Sequence, residues 1–176
     1  GILTATSTLA GAAVTLDSSV NTAGIVNLTT AGGGAAATFV DQNGFTVGTV
    51  TAAGGLVTLS ALGGAVASDG AGVDVTALSL IVSGSTGVGA VAVPLTTAVT
   101  NLEGTGGAGA FFLANTGAMT IGGLSTMEGV SATGAINVST SSPLTVNEVV
   151  DTDGDVTLTA GAAVDADDCL DDLTLN

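Results

Sequence analysis

The chain has 176 residues, of which 46% are hydrophobic, 28 are glycine and only four are aromatic, all of them Phe. Lys, Arg and His are absent while Asp and Glu number 15, so the formal charge of −15 meets no side-chain cation. Such a polyanion is repelled by phosphate backbones and anionic lipid head groups, which removes nucleic acid and membrane insertion from the expected partners and leaves divalent cations.

Without an imidazole or an amine, a Ser or Cys nucleophile lacks its base and the carboxylates lack a partner to tune them, so no enzymatic activity is expected. Cys169 is the one cysteine and lies among Asp165, Asp167, Asp168, Asp171 and Asp172, which disfavour its thiolate; an inert thiol and no internal disulfide follow. The hydrophobic content is high enough to expect an ordered fold despite the charge.

In chain order, the sequence opens Gly1-Ile2-Leu3 with no basic leader, so an export signal is expected outside this stretch or already removed. Asn27-Leu28-Thr29 and, later, Asn137-Val138-Ser139 match the glycosylation sequon inside strand-like runs. Gly32 to Gly34, Asn43-Gly44, Gly54-Gly55, Gly63-Gly64 and Gly106-Gly107 punctuate the chain as corners. Asp69-Gly70-Ala71-Gly72-Val73-Asp74 reads as a Gly turn, although it partly follows a Ca²⁺-binding Gly/Asp repeat. Residues 75 to 102 carry no charge, but Pro94 and the interspersed Gly, Ser and Thr fit strands and corners rather than a membrane span. Gly104-Thr105-Gly106-Gly107-Ala108-Gly109 matches a phosphate-binding glycine run literally, yet strand-like Phe111-Phe112-Leu113 follows where a helix start is required.

Three cassettes share the pattern apolar, Thr, β-branched, two variable residues, apolar: Phe45 to Val50, Met119 to Leu124 and Leu144 to Val149. Each leads into a second strand with alternating inward aliphatics, Gly55 to Leu59, Gly134 to Val138 and Gly154 to Leu158. The middle copy carries five extra residues between Leu124 and Val138, expected to bulge as a corner loop, with Met127 to Ser131 as a candidate contact surface. Leu113 to Met119, Val138 to Leu144 and Leu158 to Val164 are all six residues apart, and Leu113, Val138 and Leu158 are spaced by 25 and 20. Coils of about 20 to 25 residues follow, so residues 1–176 are expected to form a single parallel β-solenoid of about 7–9 coils. Ala12, Ala13 and Ala90 are candidates for small inward positions. A β-sandwich fibre subunit that donates Gly1 to Leu9 as a strand is the alternative architecture.

Residues 148–176 form a distinct acidic end. There Asp151, Asp153 and Asp155 stand at alternate positions as in a Ca²⁺ loop, although an EF-hand's later Gly and Glu are replaced by Val156 and Ala162. Asp165, Asp167 and Asp168 are candidates to join them around Ca²⁺, and a charged end that discourages uncontrolled strand pairing is the plainer reading.

From Asn101 to Ala160, the runs Leu113 to Gly117, Gly129 to Gly134 and Gly154 to Ala160 resemble the Gly/Thr/Val-rich repeats of very large secreted bacterial surface proteins of the filamentous haemagglutinin type. The resemblance implies a right-handed parallel β-helix, export, and a place in cell-surface filaments or adhesion. Its expected partners are copies or neighbouring repeats of the same protein, or a glycan or host surface. It transfers no catalytic residue.

Overall fold

The computed structural model describes residues 1–161 and the strand at 164–166. In chain order its strands are β1 (Ile2–Thr6), β2 (Val14–Leu16), β3 (Ile25–Thr29), β4 (Ala37–Asp41), β5 (Phe45–Ala61), β6 (Val66–Ser68), β7 (Val75–Gly84) and β8 (Leu95–Ala98). There follow β9 (Asn101–Thr105), β10 (Phe111–Asn115), β11 (Met119–Ile121), β12 (Val130–Ala132), β13 (Ile136–Thr140), β14 (Leu144–Val146), β15 (Val150–Thr152), β16 (Val156–Ala160) and β17 (Val164–Ala166). Among the described residues there is no helix, and every strand pairing is parallel.

Parallel pairing between strands about one coil apart is the signature of a solenoid. On one wall Ala5, Leu28, Val50, Val75, Thr97, Asn115, Thr140 and Ala160 face one another in succession. That ladder makes seven turns, the shortest from Thr97 to Asn115 (18 residues) and two of the longest from Val50 to Val75 and Asn115 to Thr140 (25 residues each). At a rise of ~4.8 Å per turn the stack is about 34 Å long.

Strand alternation fills the lumen. In β4 and β10 every second side chain is buried, so Ala37, Phe39 and Asp41, then Phe111, Leu113 and Asn115, point inward. Val14, Ala37, Val57, Leu80, Leu102, Ile121 and Val146 stack on a second wall. Leu16, Phe39, Leu59, Val82, Gly104, Val130 and Val150 form a second ladder on that wall, two residues further along the same strands as far as β9. These ladders join in one apolar cluster running from Val14 to Leu158, and each large aliphatic within it contributes about 1.5–3 kcal/mol. Phe39 and Phe45 meet edge to face with ring centres 4.9 Å apart.

One rung of the core is polar and fully bonded. Asn115 Oδ1 accepts from Thr97 Oγ1 at 2.8 Å and Val99 N at 2.9 Å, while Nδ2 donates to Val99 O and Gly117 O. A buried amide is tolerated because each of its groups finds a partner.

The expected register holds in the C-terminal half, where Leu113, Val138 and Leu158 are direct partners and Met119 pairs with Leu144 and Leu144 with Val164. It fails for the first cassette. Phe45 belongs to a ladder with Val66, Val88, Phe111, Ile136 and Val156, because β5 runs for 17 residues around the lumen and shifts that segment onto a different wall. Ala13 and Ala90 are exposed rather than inward; the small lumen residues are Ala37, Ala52 and Ala61, which sit on strand positions of inward parity. The sandwich alternative is overturned as well, since β1 pairs in parallel with β3 of its own chain.

Gly109, in the glycine run, shows what that run does here. A Cβ on it would lie 2.0 Å from Thr86 O of the turn below, so only glycine lets the two turns approach. The run starts within strand β9 and leads into strand β10, and its glycines serve stacking.

Candidate functional site

The second wall is a single strand in each turn through β9 and then divides. β11 pairs with the start of β9 through Thr120 and Ile121, and β12 pairs with its end through Val130 and Ser131. Between these two pairings the loop 122–129 leaves the wall. Ile121 to Val130 spans nine residues where the next turn, Val146 to Val150, spans four, so the insertion is the expected five residues.

Glu103 stands in β9 at the point of division. Its parity is outward, yet the loop folds over it and leaves it 0% exposed. Its Oε1 accepts from Leu124 N at 2.5 Å and Ser125 N at 3.0 Å, and its Oε2 accepts from Ser125 Oγ at 2.5 Å. Glu148 occupies the corresponding break between β14 and β15 one turn on. Its Oε1 accepts from Gly123 N at 3.0 Å and its Oε2 from Gly129 N at 2.9 Å.

The physical logic is substitution. Loop N–H groups that have left the sheet ladder need acceptors, and a carboxylate offers two oxygens that bond backbone donors strongly. Gly129 completes the anchor: its φ is +56°, and a Cβ would lie 2.1 Å from Val149 O. The loop is thereby held from the turn below and the turn above, presenting Ser125, Thr126 and Glu128 to solvent. Beside it Glu128, Asn147, Glu148 and Val149 line a surface cleft of about 240 Å³.

No model of a known protein family, no curated protein and no solved structure matches the chain.

Asp151 is exposed on β15, and Asp153 and Asp155 are exposed at the corner between β15 and β16. That corner is closed by Thr152, whose hydroxyl donates to Gly134 O and accepts from Gly154 N at 3.1 Å. Asp165 lies in β17, and Asp167 and Asp168 lie outside the described residues. Among the described residues no group of three or more His, Cys, Asp or Glu side chains is placed to hold a metal ion. Of the sequons, Asn27 uses its Oδ1 to accept from Thr49 N at 2.9 Å across a bulge, and Asn137 is exposed on β13.

The first turn forms a second candidate surface. Ile2, Leu9 and Val20 are 71%, 72% and 71% exposed, and a cleft of about 150 Å³ opens among Leu3, Leu16, Asn21, Thr22, Ala23 and Phe39. Among the described residues β1 is paired on one side only, with β3.

Sequence reasoning missed Glu103, Asp41 and Asp74 as structural acids. All three are 0% exposed. Asp41 Oδ2 accepts from Ala23 N and its Oδ1 from Asn43 N, both at 2.8 Å. The available signal was isolation: each is an acid alone inside or beside an otherwise uncharged strand, in a chain with no cation to pair it.

Proposed function

We propose that this chain is a structural module of an extracellular bacterial surface filament or stalk, built as a stiff acidic rod that associates end to end or through edge strands. The observation that carries this reading is the first turn, where lumen residues Leu3 and Leu16 remain partly open beside exposed Ile2, Leu9 and Val20. An edge strand over an open apolar end is a template for another parallel rung, supplied by a neighbouring copy or by adjoining repeats of a longer chain. An extracellular setting is supported by the absence of Lys and Arg, which denies trypsin-like proteases a cleavage site.

Negative-stain microscopy and light scattering of the purified chain test the reading. Rods that lengthen with concentration are expected, and the paired substitutions Ile2→Lys and Leu9→Lys should return them to single particles. Single particles at every concentration in the unsubstituted chain would overturn end association. Repeating the experiment with a calcium chelator shows whether Ca²⁺ on the acidic end modulates assembly.

A second reading is favoured by the doubly anchored loop 122–129: an adhesive module whose corner contacts a glycan or host surface. Saturable binding to a glycan array, lost when the loop 122–129 is shortened to the three-residue connection of the next turn, would support it over the filament.

A further inference from the structure

The corner joining β6, β7 and β8 holds a carboxylate whose surroundings are one hydrogen short. Asp74 is 0% exposed. Its Oδ2 accepts from Thr96 N at 2.7 Å and lies 2.8 Å from Thr96 Oγ1. That same hydroxyl lies 2.5 Å from Gly72 O and accepts from Asp74 N at 3.1 Å. A threonine hydroxyl carries one proton, so it can donate to Gly72 O or to Asp74 Oδ2 but not to both. With the carboxylate ionised, one of these two short contacts is an oxygen pair with no hydrogen between. Asp74 Oδ1 is also buried and has no hydrogen-bond partner. The Ser68 hydroxyl accepts from Gly70 N and keeps its own hydrogen free near the carboxylate, yet it makes no hydrogen bond to Oδ1.

We propose that the Asp74–Thr96 corner is a proton-operated clasp between neighbouring turns. The carboxyl takes up a proton from solvent and donates it in a hydrogen bond to Thr96 Oγ1, which then donates to Gly72 O, so that every short contact carries a hydrogen. The neutral carboxyl also lowers the cost of the unpartnered Oδ1, because an uncharged oxygen is cheaper to bury than an ionised one.

The electrostatic setting agrees. Burial pushes the Asp74 carboxyl above its usual range; the hydrogen bonds of Thr96, and then the nearby Ser68 hydroxyl, oppose this, and the Asp69 charge adds a smaller upward push. Asp69 is the one titratable residue nearby, since β5, β6, β7 and β8 contain none. An acid whose pKa is higher folded than unfolded makes the folded state bind more protons between the two values. Its stabilising contribution is complete below the unfolded value near 3.8 and is lost as pH rises through the folded one. Mild acid therefore tightens the middle of the rod.

The test is a ¹³Cγ titration of Asp74 by NMR on the intact chain, with thermal melts of the unsubstituted chain, Asp74→Asn and Asp69→Asn at about pH 7.5 and about pH 5. Asp74 is expected to titrate above the ordinary carboxylate range. Its melting temperature advantage over Asp74→Asn should grow by about 2–4 °C on acidification, the worth of one hydrogen bond at this chain length. Asp69→Asn should keep the acid-dependent gain. A titration in the ordinary range, or parallel melting curves for the unsubstituted chain and Asp74→Asn, overturns the proposal. So does a shift of the Asp74 resonance produced at neutral pH by Ca²⁺ alone, which would make the orphan oxygen a metal ligand.

Discussion

The corner around Glu103 and the corner around Asp74 both bury a carboxylate completely, in a chain with no side-chain cation to neutralise either. At Glu103 both oxygens are bonded, to two loop N–H groups and a serine hydroxyl. At Asp74 one oxygen takes all the donors and the other takes none. The difference teaches how this fold uses acid. Where backbone donors have left the ladder, a carboxylate replaces the missing carbonyls; where donors run out, the remaining place suits a proton. Asp41 belongs with Glu103, having one N–H on each oxygen.

The largest expected effect comes from emptying the well-bonded corner. Glu103→Leu keeps the volume but leaves Leu124 N and Ser125 N without their acceptor, and should lower stability by about 3 kcal/mol in urea unfolding. Amide exchange at Leu124 and Ser125 should accelerate well beyond that of Leu102. If the loop stays protected in the variant, the carboxylate is not what anchors it and the comparison with Asp74 loses its first term.

A sharper contrast is available from one substitution made at two places. In Asp41→Asn the new amide NH₂ must face either Ala23 N or Asn43 N, donor against donor, at a cost of about 2 kcal/mol near neutral pH. In Asp74→Asn the NH₂ can take the side of Oδ1, where no donor points, so the loss near neutral pH should stay below about 1 kcal/mol. Equal losses at the two positions would mean that donor supply does not distinguish these corners.

These distinctions were only partly open to a reader of the sequence. The C-terminal turns were legible because Leu113, Val138 and Leu158 keep a constant six-residue step to Met119, Leu144 and Val164, and the five extra residues before Val130 stand out against it. The N-terminal half was not, because β5 bends around the lumen without a break and carries the Phe45 cassette onto another wall than its look-alikes. Burial of Glu103 was hidden for a different reason. In Leu102-Glu103-Gly104 it has the parity of an ordinary outward acid, and it becomes covered only when a loop from the next turn folds across it. The acid-rich end is conspicuous in the sequence, yet Asp151, Asp153 and Asp155 stand in solvent, while single acids in uncharged stretches hold the corners together.

A small and local effect is expected at Glu148, which shares the chemistry of Glu103 but is only half-buried. Glu148→Gln keeps one acceptor oxygen and turns an NH₂ toward either Gly123 N or Gly129 N. Gly123 is exposed, so water can reach it when it loses its partner, and the cost on that side should be about 1 kcal/mol or less. The consequence should be local: faster amide exchange at Gly123 or Gly129 with the exchange of Ile121 and Val130 unchanged. Because Glu103 still holds Leu124 and Ser125 from the turn below, the loop should fray at its two ends and keep its middle. Fraying that instead begins at Leu124 would show that the upper carboxylate bears the loop and the buried one merely follows it.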